Sequence, residues 1–547
     1  MDREVLIISN KNVSASNEEP NTRLARPGTC VRAPLPIRLS LLAGFICLSV
    51  AYFVWGWSDD ISDFQGDSSV YMLASRYFSP FWSSSPVFAE FTKNMAYPPL
   101  FPFVIGLMGG SMLAGHLVVI VSLLAAILCL YAWLRLEGIG AGTSGWACLV
   151  FALTPGTYLQ ALNIWTENPY LFLSLLAIVL EARAETAGRE RPMLWWGASA
   201  AVAAATMVRA AALPLLIAYA IRVAIIRPYR WGLLILTSFM PLAIWVVWGK
   251  LHQPAGIGYA AQWAASYAHD PIGSLLRQIN TEAGLVFRSW VQAWLAQVSV
   301  ASLYYFVLAA GCIGLLGCLR RLTALRLDGI YVVLYGALLL VWPFPAEARR
   351  LSYVLIPILL VQGLFALRSF GLRVNPAGGR LLPAVFAGAL TIAILPSLIL
   401  TLHRFNEPLM QDAEAARHTE DWYLDDRQQA ANAAHSFTKI LADLRHSGEM
   451  VSGEQCIFAI KPSVVSLYSG RSSRTPPPIS SSDEVFERDI AKCRYAYVLM
   501  YISPSFAQAY YPLSRLKERA YPLSVAQDGE GENARTYAAL IEIQAAP

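Results

Sequence analysis

The sequence predicts an α-helical polytopic membrane protein of about eleven transmembrane helices, closed by a small soluble α/β domain. Three observations carry that expectation. Of 547 residues, 56% are hydrophobic and only 14% charged, where a soluble domain holds roughly a quarter charged residues. Apolar runs of about 20 residues, long enough to cross a bilayer, recur between residues 39 and 401. Beyond residue 403 the charged and polar residues return, with the short-run patterning of strands and an amphipathic helix. The net charge of +5 comes from arginines scattered between apolar runs, which orients membrane spans and leaves no basic footprint for nucleic acid.

Residues 1–38 read as a polar, disordered tail on the cytoplasmic side. The first apolar run, 39–57, is long for a signal peptide and lacks a small-residue cleavage signature, so it is expected to remain as an anchor. Further runs fall at 115–134, 143–161, 168–181, 194–208, 210–226, 231–249, 302–319, 328–342, 351–367 and 381–401, with Arg209 and Pro214 dividing the fifth from the sixth. The piece Leu100–Met112, opened by Pro98, Pro99 and Pro102, is about 13 residues long and reads as re-entrant or interfacial rather than as a crossing. Counted so, Arg38, Arg135, Arg183, Arg222, Arg320, Arg321, Arg326 and Arg368 share the cytoplasmic side. The first outer loop 58–114, the turn 162–167, the loop 250–300 and residues 403–547 share the outer side.

In the last region Gln428–His446 has helical spacing, Cys456–Ile460, Tyr495–Ile502 and Ala538–Ile543 read as strands, and Thr475–Ser482 as a Pro/Ser loop. Five of the eight cysteines lie in apolar runs and Cys30 in the tail. Cys456 and Cys493 alone share a polar region, where an extracytoplasmic setting would permit a disulfide.

Chemistry concentrates at the predicted outer surface. Asp59, Asp60, Asp63 and Asp67 directly follow the first apolar run. Asp67 precedes two serines as a helix N-cap would, and shares a helix face with Tyr71 at four-residue spacing. A cap needs one carboxylate, and closely spaced acids raise one another's pKa or bind a cation, both suited to deprotonating a hydroxyl or amine. Tyr97-Pro98-Pro99 closes the same loop behind Lys93. Trp165-Thr166-Glu167-Asn168-Pro169 puts an acid at a span end, either as a helix-start acid or with a partner such as Arg209, which lies inside an apolar hairpin. Arg349 and Arg350 breach the positive-inside pattern; such a pair can grip a phosphate or snorkel to headgroups.

With these motifs the chain resembles the GT-C superfamily of polytopic glycosyltransferases, in the bacterial branch related to protein O-mannosyltransferases and the lipid A aminoarabinose transferase. The carriers are Asp67-x-x-x-Tyr71-x-x-Ala74, Tyr97-Pro98-Pro99, Thr166-Glu167-Asn168-Pro169 and Arg349-Arg350-Leu351-Ser352-Tyr353. The resemblance covers the layout of residues 39–402. It implies transfer of a sugar from a polyprenyl-phosphate carrier to an envelope lipid, glycan or protein on the outer side of the cell (inner) membrane. By position Asp67 matches the catalytic base, with Asp60 and Glu167 as further catalytic acids. Lys93, Arg209, Arg349 and Arg350 become donor-phosphate ligands, and Tyr71 and Tyr97 line the substrate. No cofactor is required by this reading, and a divalent metal cation held by Asp63 and Asp67 is its variant. Relatives carry two adjacent acids where this chain has Asp67-Ser68, or a histidine where it has Tyr97, so the sugar does not carry over. A polysaccharide polymerase or ligase and a lipid-linked glycan flippase are the competing readings; a flippase would show repeated halves and paired polar groups at mid-membrane, and neither is seen.

Overall fold

The computed structural model describes residues 34–544 apart from 62–66, 94, 96, 188–190, 253–263, 265–266, 268–269, 296–300, 343–346, 376, 407–426, 453–454, 478–480, 500–515, 517–518 and 529–534. The chain begins with α1 (Leu35–Gly56), α2 (Ser68–Phe78), α3 (Pro86–Lys93), α4 (Leu100–Leu107), α5 (Met112–Leu136), α6 (Ala141–Ala152), α7 (Pro155–Leu162) and α8 (Glu167–Ala187). It continues with α9 (Pro192–Val208), α10 (Leu213–Ile226), α11 (Trp231–His252), α12 (Pro271–Leu295), α13 (Ala301–Thr323), α14 (Leu327–Leu340), α15 (Ala348–Tyr353), α16 (Leu355–Val374) and α17 (Gly378–Asn406). Every apolar run in the sequence falls on helix. Six helical segments among the described residues are long and apolar enough to cross a bilayer, and four shorter apolar helices accompany them. The protein is a multi-pass membrane protein. On α1, Leu35, Leu39, Leu42, Ile46, Val50 and Val54 are all exposed, as expected where the surrounding solvent is hydrocarbon.

Two sequence expectations change in detail. The run 143–161 is not one span: Pro155 cannot continue a helix and instead opens α7 at its first position, so the run breaks at Thr154. The loop 250–300 contains the 25-residue α12, whose buried positions gather toward its end at Trp290, Val291, Ala293, Trp294 and Leu295. Polar residues between Ile272, Leu275, Ile279, Val286 and Trp290 keep the helically spaced stripe from reading as a continuous apolar run. Leu100–Met112 is short, as expected: α4 has eight residues and ends at Gly109 and Gly110, both at positive φ.

The arginine loops predicted to share one side do converge. Arg222 pairs with Glu181 and Glu185, Arg326 with Glu185, and Arg321 with Glu137 and Asp328, while Arg368 donates to the Glu137 carbonyl. Glu167 starts α8 and Glu181 lies 14 residues further along it, about 21 Å away. The arginine network and the Glu167 region therefore occupy opposite ends of the bundle.

The C-terminal region comprises α18 (Arg427–Met450), β1 (Ile457–Phe458), α19 (Pro462–Ser469), β2 (Ser473–Arg474), α20 (Asp483–Ile490), β3 (Tyr495–Leu499), β4 (Ala520–Asp528) and β5 (Arg535–Ile543). The sheet order is β2-β1-β3-β5-β4, with β1 parallel to β2 and β3, and β5 antiparallel to β3 and β4. Strand alternation divides the core: Tyr495, Tyr497, Ala538 and Leu540 join the main cluster, which continues into the membrane domain. Ala496, Val498, Ala539 and Ile541 join a second cluster with Phe486 and Ile490. Strand β4 was not anticipated, because Pro522 and two register irregularities interrupt its pattern.

Cys456 and Cys493 are disulfide-bonded across 37 residues, joining the chain ahead of β1 to the chain ahead of β3. The chain-entropy relation predicts that Cys456→Ser with Cys493→Ser lowers the stability of this domain by about 3–4 kcal/mol. Thermal denaturation with and without reductant should show the same loss in the wild-type protein and no reductant effect in the double variant.

Candidate active site

Asp67 stands at the N-cap position of α2, yet its side chain makes no capping hydrogen bond. Both oxygens turn elsewhere. The Tyr97 hydroxyl donates to Oδ1 at 2.7 Å, and Arg350 Nη1 and Nη2 donate to Oδ2 at 3.2 and 3.3 Å. The sequence left capping and chemistry both open for this residue; the observed hydrogen bonds direct the carboxylate away from the helix. Tyr71, one turn along α2, packs its ring against Tyr97 and Phe101 at 5.2 and 5.1 Å and so holds the Tyr97 hydroxyl in place.

Arg350 reaches the site from the short helix α15. Its Nε donates to Glu167 Oε1 at 2.7 Å and its guanidinium lies 4.1 Å from the Trp165 ring centroid. Arg209 occupies an extended residue between α9 and the turn leading to α10, so it leaves the hairpin sideways into the protein. Its Nη1 lies 2.7 Å from the same Glu167 oxygen and donates to Thr166 Oγ1 at 3.0 Å. Glu167 has no exposure to solvent, and its Oε2 has no hydrogen-bond partner in the structure. Tyr353 donates to Asn168 Oδ1 at 2.8 Å, which ties α15 to the start of α8.

These groups close around a small pocket with room for about one water molecule. Asp67, Tyr71, Tyr97, Arg209, Glu347 and Arg350 line it. Glu347 accepts a hydrogen bond from the Trp342 indole at 3.0 Å. The two carboxyls are pushed apart. Burial raises Asp67, but the charges of Arg350 and Lys461, the Tyr97 hydrogen bond and Arg209 outweigh it and hold Asp67 below its ordinary value. Burial raises Glu347 as well, and there Arg209 and Arg350 do not offset it, so Glu347 stays above its ordinary value.

Other sequence candidates lie elsewhere. Asp60 pairs with Arg445 of α18, and Lys93 is exposed at the end of α3. Arg349, half-buried, does not line the cavity. Asp63 falls outside the described residues. Both oxygens of Asp67 are engaged by Tyr97 and Arg350, and among the described residues no three His, Cys, Asp or Glu side chains gather. No step below is routed through a metal.

Structures of known proteins place this architecture. No family model matches the sequence, and no curated protein does. ArnT from Cupriavidus metallidurans in the apo state is similar over 93% of this chain and 99% of its own, at 10% identity and a TM-score of 0.53. The same protein bound to undecaprenyl phosphate matches at 10% identity and 0.51, over 94% and 100%. The chain has the GT-C fold. The oligosaccharyltransferase AglB from Archaeoglobus fulgidus, in complex with an inhibitory peptide and a dolichol-phosphate, aligns at 11% identity and 0.48, over 92% and 74%.

Within this fold, Glu347 and Trp342 line the pocket, and the sequence reading did not name either as a candidate. Glu347 stands two residues before the arginine pair, and its only signal was that proximity. Replacing Glu167 with Ala leaves two buried guanidiniums facing each other, and is predicted to cost about 3–5 kcal/mol. Thermal unfolding of the purified variant in detergent checks this; a midpoint equal to the wild type would show that Glu167 does not hold the site together.

Proposed function

We propose that this protein is a glycosyltransferase that moves a sugar from a polyprenyl-phosphate carrier to an acceptor in the cell envelope. The observation that carries the reading is the direction of Asp67, turned from its helix into a cavity between Tyr97 and Arg350. The GT-C fold supports it, and so does the carrier lipid bound by ArnT, undecaprenyl phosphate.

In this reading the acceptor hydroxyl or amine attacks the anomeric carbon while the bond from that carbon to the phosphate oxygen breaks. The acceptor proton passes to Asp67 and the electron pair leaves with the polyprenyl phosphate. A phosphate is a good leaving group, so cations matter more than a general acid. Arg350 serves both sides. An entering phosphate competes with Asp67 for its guanidinium, and every hydrogen bond it draws away from Asp67 makes that carboxylate more basic. Arg209 stabilises the charge that develops on the leaving group, and Tyr97 orients Asp67. Displacement at one carbon in one step inverts its configuration. The polyprenyl tail would remain in the bilayer.

The membrane orientation follows the arginine distribution. The Arg222, Arg321 and Arg326 end faces the cytoplasm of a cell (inner) membrane, the N-terminus lies on that side, and Asp67 and the C-terminal domain face outward. An extracytoplasmic setting also accommodates the Cys456–Cys493 disulfide.

The test is incubation of the purified protein with a panel of labelled polyprenyl-phosphate sugars and envelope extract. Release of polyprenyl phosphate supports transfer, whereas unchanged lipid crossing the bilayer of a proteoliposome supports a flippase instead. Asp67→Asn is predicted to slow release by about 10²–10⁴-fold, the usual contribution of a general base. Glu347→Gln is predicted to lose much less than Asp67→Asn, because the Gln amide oxygen can still accept from the Trp342 indole. Equal loss in both variants would contradict the division of roles.

A further inference from the structure

We propose that Gln278 of α12 is a positioning residue for the site: it restrains Trp342, and through the Trp342 indole keeps Glu347 off the arginines that a donor phosphate needs. The part given to the phosphate rests on the glycosyltransferase reading; the restraint itself does not.

The contacts begin at a buried acid on α12. Glu282 has no exposure to solvent, its Oε2 has no hydrogen-bond partner, and among the described residues no cation pairs with it. Burying a carboxyl in that state costs stability. Its Oε1 accepts from Gln278 Nε2 at 2.9 Å, one helical turn back along α12. The same nitrogen donates its second hydrogen to the Trp342 carbonyl at 2.8 Å. With the amide reversed, the Gln278 oxygen would oppose both of these acceptors, so Glu282 and the Trp342 carbonyl together settle which way it faces.

Trp342 is therefore held at both ends. Gln278 binds its carbonyl, and its indole Nε1 donates to Glu347 Oε2 at 3.0 Å. Tyr267 donates to the adjoining Val341 carbonyl at 3.2 Å and steadies the same stretch of chain. Glu347 stands at the N-cap position of α15 and, like Asp67, makes no capping hydrogen bond there. Its direction is set by the indole instead.

That direction matters because of the company Glu347 keeps. It lines the same pocket as Arg209 and Arg350, yet among the described residues those two arginines pair with Glu167 and Asp67 and not with Glu347. A carboxylate beside guanidiniums moves onto them unless something holds it back. Capture of the Arg350 terminal nitrogens by Glu347 would displace Asp67 and leave those donors closed to a phosphate. The indole bond opposes the capture only while Trp342 stays in place, which is what Gln278 secures.

The experiment is a double-mutant cycle on the purified full-length protein in nanodiscs, with labelled polyprenyl-phosphate sugars as donors and fluorotryptophan incorporated for fluorine NMR. Gln278→Leu should raise the KM for the lipid donor about three- to tenfold, the usual size of one hydrogen bond, with a smaller change in kcat. Trp342→Phe, which keeps an aromatic ring and loses the indole N–H, should do the same. Adding Glu347→Gln to either variant should restore most of the loss, because an amide does not compete for a guanidinium as a carboxylate does. A merely structural role for Gln278 predicts no such rescue. The Trp342 resonance, assigned by its absence in Trp342→Phe, should move in Gln278→Leu and in Glu347→Gln. An unchanged KM in Gln278→Leu, or a loss that Glu347→Gln does not relieve, overturns the proposal. So does a Trp342 resonance that is indifferent to Gln278→Leu. If wild type releases no polyprenyl phosphate from any donor, the glycosyltransferase reading fails, while the resonance still decides whether Gln278 restrains Trp342.

Discussion

Burying the Glu167 carboxylate at the start of a membrane helix costs several kcal/mol in lost hydration, and the site depends on how that cost is offset. Arg209 and Arg350 both place a guanidinium nitrogen 2.7 Å from the same oxygen. Either arginine alone would balance Glu167, and the second is balanced by Asp67. Together they bring the turn between α9 and α10, the start of α8 and the helix α15 to one point, and Arg350 then has donors left for Asp67. Four residues separated by long stretches of sequence become one charge-balanced unit, with Trp165 and the Tyr353–Asn168 bond fixing its orientation.

A balanced unit is also a poised one. Arg350 holds Glu167 through Nε and Asp67 through its two terminal nitrogens, so a ligand phosphate can claim the terminal pair without releasing the Glu167 contact. The planar guanidinium makes that partition possible, since its donors point along fixed directions. A lysine in its place would give up one partner to gain another. Tyr97 keeps Asp67 oriented during the exchange, and Tyr71 and Phe101 keep Tyr97 oriented in turn.

Much of this was legible in the sequence, for identifiable reasons. Apolar runs gave the spans because a bilayer forces length and composition on every crossing helix. Asp67, Glu167, Arg209 and Arg350 stood out because ionisable groups at span ends are expensive and need partners. The pairing of Glu167 with Arg209 was anticipated; the sharing of Glu167 by Arg350 was not, because nothing local in a sequence reports a contact between residues 183 positions apart. Glu347 was missed for the same reason. The amphipathic α12 escaped because its apolar residues, though helically spaced from Ile272 onward, are separated by polar ones and never form a continuous apolar run.

The acid cluster after the first span illustrates how neighbouring charges with one apparent purpose are put to different uses. Asp60 faces the C-terminal domain and is paired with Arg445 beside Tyr468, which together anchor that domain to the loop. Asp67, seven residues on, faces the cavity and takes its partners from the membrane helices. Each acid is matched by a cation from a different element, so the two have no need of a shared metal to relieve their repulsion. Substitutions at Asp60 and at Asp67 should therefore act by separate physical routes, the first through the position of α19 and the second through the Asp67 carboxylate itself. The C-terminal domain meets the start of α2 through the Ser463–Ser69 contact, so moving it would disturb the helix that begins beside Asp67.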